Sequence, residues 1–237
     1  MTQMEIMTAY KEKMSPIKST GRKVVVLLSG GMDSTTLVYY MRNLGHEVYP
    51  ITFDYGQKHS KELTSAEKTC KKLELSYKFV EIGLGDIAPS ALTRIDIKIP
   101  HGNYDEESMK VTVVPNRNMV FLSLATAYAI GIGAEKVAYA AHSGDHAIYA
   151  DCRPAFIDVM KEAIYLCSDD EVVLNTPFEF IDKVEILKIG QTLGVDYSLT
   201  WSCYEGGELA CGRCGTCRER LEAFEKVGIE DPISYKE

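Results

Sequence analysis

The 237 residues are enough for one α/β core with at most a small appendage, and 46% hydrophobic with 25% charged residues is the composition of an ordinary soluble globular protein. A net charge of −8 offers no general basic surface for tRNA or duplex DNA, so a small-molecule substrate without a nucleic-acid partner is the expectation. Seven cysteines, four of them between residues 203 and 217, point to metal ligation in a reducing, cytoplasmic setting rather than to a disulfide framework.

Residues 1–22 form a lead without a compact apolar core. Glu5, Lys11 and Glu12 argue against a signal peptide, and a short helix before Pro16, a disordered arm and an oligomer arm all stay open. Val24 to Leu28 then reads as a strand covered on both faces, and Leu37, Val38, Met41 and Leu44 recur at helical spacing until Gly45. A second strand spans Val48 to Phe53 and ends in Asp54, a residue balanced between turn former and ligand to adenosine or a metal. "HSKELTSAEKTCKKLEL" is a charged amphipathic helix and "YKFVEI" a third strand. Residues 83–113 show little periodicity and read as an exposed loop of the lid or binding kind. Asn116 or Asn118 can cap the next helix, whose apolar stretch from Met119 to Ala134 is too short and mixed for a bilayer, so no membrane partner is expected. "KVAYAA" is the next strand, followed by His142, Ser143, Gly144, Asp145, His146, Asp151 and Arg153, a polar mixture that suits a substrate pocket. "EVVLNTPFEF" gives a strand and turn, and "DKVEILKIGQTLGV" an amphipathic helix with Lys183 in its first turn. A cation is unfavourable there unless it reaches an anion, and a solvated surface lysine is the bland alternative. The alternation predicts a parallel sheet with helices on both faces, Rossmann-like.

The most informative stretch joins the first strand to the first helix. Ser29, Gly30, Gly31, Met32, Asp33, Ser34, Thr35 and Thr36 place two glycines and four hydroxyls where a strand ends and a helix begins, a site suited to an anion. The Walker loop is excluded by the absence of lysine, and the dinucleotide fingerprint by the adjacent glycines. Asp33 would repel a phosphate unless magnesium or an ordered dipole lies between them. A plain helix cap by Ser29 or Asp33 is the modest alternative. Near the C-terminus, Cys203, Cys211, Cys214 and Cys217 have the spacing of a closed tetrahedral site. Structural zinc is favoured over an iron–sulfur cluster, and the segment 199–237 is read as a zinc-binding appendage to an α/β domain over 23–198.

The loop from Ser29 to Ser34 resembles the S-G-G-x-D-S loop of the PP-loop ATP pyrophosphatases. With Asp151-Cys152-Arg153-Pro154 and the four cysteines in that order, the chain is similar to the 7-cyano-7-deazaguanine synthase family from about Lys23 onward. The resemblance implies an ATP site over Leu28, Ser29, Gly30, Gly31, Met32, Asp33, Ser34, Thr35, Thr36, Leu37 and Val38, with Ser29, Asp33, Ser34 and Lys183 as the catalytic set. It implies Mg²⁺ with ATP, structural Zn²⁺, and ammonia and 7-carboxy-7-deazaguanine as substrates. It further implies a pocket drawing on Arg117, Asp145, Asp151 and Arg153; a homodimer stays open. Replacing Asp151 with Asn is expected to weaken substrate use more than ATP binding. Three positions depart from the family pattern: Asn116 stands where it has glycine, Ala150 where it has proline and Ala155 where it has glutamate. These departures keep two alternatives open, a related enzyme of shifted specificity (amide-forming, another acceptor or tRNA thiolation) and a non-catalytic nucleotide sensor.

Overall fold

A computed structural model describes residues 21–102, 104, 109–169 and 171–236, so residues 1–20 of the lead lie outside it. Five parallel strands, β1 (Lys23–Leu27), β2 (Glu47–Asp54), β3 (Lys78–Glu81), β4 (Lys136–Ala138) and β5 (Val173–Asn175), form one sheet in the order β3-β2-β1-β4-β5. The β1 register pairs Val24 with Val48 and Lys136, so β1 lies at the centre. Its alternating side chains serve two cores. Val25 and Leu27 pack with Ile51, Phe53 and Val137 beneath α3 (Arg117–Ile132) and α4 (Pro154–Cys167). Val24, Val26 and Leu28 pack with Leu37, Val38, Met41 and Ile186 beneath α1 (Met32–Asn43), α2 (Lys61–Lys72) and α5 (Lys183–Thr192). Helices on both faces and an all-parallel sheet match the expected class.

Two regions differ from the sequence expectation. The 83–113 stretch is not simply exposed: Leu84, Ala88 and Leu92 bury against Tyr55 and Val114 and cover the ends of β2 and β3. Leu84 opens a single helical turn, Leu84–Ile87, and Ala88 and Leu92 follow on irregular backbone, a stretch too short and broken for a period to reveal. The C-terminal segment contains α6 (Gly215–Val227), which the dominant cysteine pattern obscured. Ala223 and Phe224 of α6 pack on Met32, Leu187 and Tyr197, and Arg220, fully buried, holds Asp231 with Nε at 2.7 Å and Nη2 at 2.9 Å. The same guanidinium donates to the Thr200 hydroxyl and the Tyr197 carbonyl, which fastens the tail to the preceding α/β core. No helix among the described residues is long and apolar enough to cross a membrane.

Candidate active site

Strand order reverses direction between β1 and β4, and a cleft of about 220 Å³ opens at their C-terminal ends. Its first end is the loop after β1. Gly30 adopts φ +92°, and a Cβ there would sit 2.0 Å from the Glu62 carbonyl oxygen and 2.8 Å from the Ala66 nitrogen. Glycine is therefore required twice, for its backbone angle and for the approach of α2. Gly31 is the residue preceding α1, without a side-chain cap. Ser29 and Ser34 instead close on each other, Oγ to Oγ at 2.9 Å, and the Gly31 N–H donates to Ser29 Oγ at 3.3 Å. The serines shape the loop while the first-turn N–H groups of α1 are left for an anion.

Not every residue of the loop faces the cleft. Leu28, Ser29, Gly31, Asp33 and Ser34 line it. Leu37 and Val38 are core residues, Met32 packs against Leu187, and the Thr36 hydroxyl is spent on the Met32 carbonyl and the Tyr197 hydroxyl. Helical periodicity turns these side chains inward, so they do not line the cleft, and Thr35 is likewise buried away from it.

Asp33 is the hub of a charge network. Its Oδ2 lies 3.3 Å from Lys183 Nζ and 3.8 Å from His142 Nε2, and Lys183 also pairs with Glu219 of α6. Asp145 accepts from the Tyr104 hydroxyl at 2.9 Å and lies 3.5 Å from His142 Nε2. The Gly144 N–H donates to His142 Nδ1 at 3.1 Å, which leaves the ring proton on Nε2, facing both aspartates. Lys183 is buried and not a solvated surface lysine. Burial disfavours its ammonium, but Asp33, Glu219 and Asp145 outweigh that and hold its pKa above the usual lysine value. A capping box between Asp182 and Glu185 offsets the misplaced cation at the start of α5.

The other end is aromatic. Phe53 and Phe121 stack at 4.4 Å, Tyr149 and Tyr204 share a hydroxyl hydrogen bond at 3.1 Å, and Trp201 closes the rim. Arg117 enters over the Tyr55 ring, 5.6 Å from its centroid. Asn116 holds φ +60°, ψ 17°, so it meets the left-handed turn for which glycine was expected. Asp151 and Arg153 do not line this wall. Asp151 Oδ2 accepts the Asn118 N–H at 2.9 Å, capping α3 from a neighbouring loop, and exposed Arg153 donates to the His146 carbonyl. The α3 terminus thus engages one of the two residues expected at the substrate, and the other faces solvent. Arg117 and Asp145 do line the cleft. Asp54 is a turn former, accepting from the Gly56 N–H at 3.1 Å.

The cysteines lie beside the aromatic rim. Cys203, Cys211, Cys214 and Cys217 are buried, and their sulfurs fall within 4.8 Å of one another. Four thiolates around one ion at about 2.3 Å would stand about 3.8 Å apart, and Cys211 and Cys217 are 3.9 Å apart. The Arg213 and Cys214 N–H groups point at Cys211 Sγ, and Cys214 and Cys217 flank the start of α6. The donor set fits a closed tetrahedral metal ion without an open position.

Fold and loop thus define a Rossmann-like α/β protein with a glycine- and hydroxyl-rich loop at the end of its first strand. The model of a family described as queuosine biosynthesis protein QueC matches residues 23–228, and the chain belongs to that family. A 7-cyano-7-deazaguanine synthase of Caldicellulosiruptor saccharolyticus is 60% identical over 215 residues, covering 90% of this chain and 96% of that one. Those of Methanoregula boonei and Colwellia psychrerythraea are 58% and 52% identical, each covering 90% of this chain and 99% of its own. Among solved structures, an NH3-dependent NAD synthetase from Campylobacter jejuni aligns at TM-score 0.44 and 18% identity, covering 83% of this chain and 73% of that one, too loosely to carry weight.

Proposed function

We propose that this protein converts 7-carboxy-7-deazaguanine and ammonia to 7-cyano-7-deazaguanine at the expense of ATP, as a cytoplasmic C–N ligase of queuosine biosynthesis. The observation that carries this reading is one cleft with a phosphate-holding loop at one end and an aromatic wall bearing Arg117 at the other. The names of relatives at 52–60% identity support 7-cyano-7-deazaguanine as the product.

A substrate carboxylate oxygen attacks the α-phosphorus of ATP and pyrophosphate leaves. Ammonia then attacks the acyl carbon, the C–O bond breaks, and AMP departs carrying that oxygen. The amide oxygen is adenylated in the same way by a second ATP. Loss of AMP and of both amide protons leaves the nitrile. Ser29, Ser34 and the backbone N–H groups around Gly30 and Gly31 hold the pyrophosphate portion, and Lys183 stabilises the charge that builds on the phosphates. Asp33 and Glu219 keep Lys183 charged and aimed. Among the described residues Asp33 Oδ1 is buried without a hydrogen-bond partner, and it would hold the magnesium that accompanies ATP, an ion that neutralises phosphate charge. Arg117 and Asp145 serve the substrate, and the four cysteines hold zinc as a structural ion.

The test is a mass-spectrometric product assay with ATP, magnesium, ammonium and 7-carboxy-7-deazaguanine. A product at the nitrile mass, with AMP formed only when the acid is present, is expected. Accumulation of the amide would limit the enzyme to the first half-reaction, and absence of acid-dependent AMP would overturn the substrate.

A further inference from the structure

Among the described residues three carboxylates line the cleft, and two are engaged. Asp33 pairs with Lys183, and Asp145 accepts from Tyr104 while facing His142. The third, Glu62, comes from the first turn of α2 and has neither a hydrogen-bond nor an ion-pair partner among the described residues. Its carbonyl oxygen fills the space that the missing Cβ of Gly30 leaves, so α2 sits directly against the loop after β1. Arg117, Tyr55 and Tyr204 surround it electrostatically. Burial pushes its pKa up to about 7, with Arg117 opposing, so the folded protein keeps this carboxylate at a cost that a ligand with N–H donors would offset.

We propose that Glu62 is the specificity residue for the base, accepting the adjacent ring N–H and 2-amino donors of the substrate while Arg117 donates to its neighbouring carbonyl oxygen. The inference rests on the function proposed above and adds the recognition that reading lacks. A guanine-like edge offers two donors beside an acceptor, which a carboxylate next to a guanidinium complements. The adenine of ATP offers an acceptor beside a donor, so Glu62 would meet a lone pair there. The same carboxylate therefore keeps the adenine of ATP out of the substrate's place. The stacked Phe53 and Phe121 supply the flat wall against which a fused bicyclic ring lies.

The experiment is steady-state kinetics of Glu62→Gln and Glu62→Asp against wild type, varying the acid, ATP and ammonium separately, with the 2-deamino analogue of the acid as a second substrate. KM for the acid should rise about thirtyfold in Glu62→Gln, while KM for ATP and for ammonium moves less than about threefold. Wild type should discriminate against the analogue about thirtyfold, Glu62→Gln about threefold or less, and Glu62→Asp should retain part of the discrimination. An unchanged KM for the acid, an equal penalty on the analogue, or a shift in KM for ammonium instead would overturn the assignment. Should wild type fail to turn over the acid at all, the substrate reading itself falls, an outcome distinct from a Glu62 that proves silent.

Discussion

At the phosphate end of the cleft each charged side chain is tied to another: Asp33 to Lys183, Lys183 to Glu219, and His142 between Asp33 and Asp145. At the aromatic end Glu62 and Arg117 face the cleft with almost no hydrogen bonds between protein groups; Arg117 makes one long contact of 3.4 Å, to the Tyr55 hydroxyl. The difference matches two tasks. Groups that stabilise charge during a reaction work best when fixed beforehand, since they then need no reorganisation at the moment of transfer. Groups that choose a substrate must keep their hydrogen-bonding capacity until it arrives, and rejection of a wrong base comes from leaving that capacity unmet.

The largest effect should come from the support beneath both ends. Cys214→Ser removes one of the four thiols that could hold a metal ion and alters the start of α6, whose Glu219 pairs with Lys183. Structural zinc contributes binding energy on the order of 10 kcal/mol, so loss of bound metal, of the native melting transition and of activity is expected together. A metal-free variant with a native melt would contradict the coupling. Next in size, Lys183→Met leaves Asp33 and Glu219 without their cation. The turnover number should drop about a hundred- to a thousandfold, with KM for the acid little changed; a selective rise in that KM would move Lys183 to the wrong end of the cleft.

The aromatic end should show itself in pH. The free enzyme's Glu62 holds a proton below about 7 and is an ionised acceptor above it, and protonation competes with substrate binding. KM for the acid should then rise toward tenfold per pH unit below 7 and level off above it. Burial raises the pKa of Tyr55 and Tyr204, so they stay neutral over that range, and Arg117 stays charged. The rise should vanish in Glu62→Gln; its persistence would assign the titration elsewhere. Smallest of all, Arg153→Ala should change stability by about 0.5 kcal/mol or less and leave both KM values alone, because its guanidinium caps only the His146 carbonyl.

The same two ends explain what the sequence disclosed. The loop and the cysteines are local: their donors lie within a few residues, and their spacing alone restricts the geometry. The sheet is legible for a similar reason, since Val24 to Leu28 and the helices around it carry clean periods. The base-reading wall comes from Tyr55, Glu62, Arg117, Tyr149 and Tyr204, segments joined only by the fold. Glu62 sits among Lys61, Glu67 and Lys68 on a charged helix, and nothing in that pattern separates it from a solvated residue. Glu219 was hidden for the same reason in a helix masked by the cysteines. Asp151 and Arg153 differ in the opposite sense. Their motif is compact, but the Asp151 carboxylate accepts the Asn118 N–H at the α3 terminus and Arg153 donates to a carbonyl, uses that no spacing reveals.

The central claim is that a substrate oxygen attacks the α-phosphate of ATP in this cleft. It is tested most directly by supplying the acid with both carboxylate oxygens as ¹⁸O and analysing the AMP released. Two AMP per nitrile, each carrying one ¹⁸O, is the predicted result, because each oxygen leaves the carbon on phosphorus. Unlabelled AMP, or ADP in its place, would contradict the account.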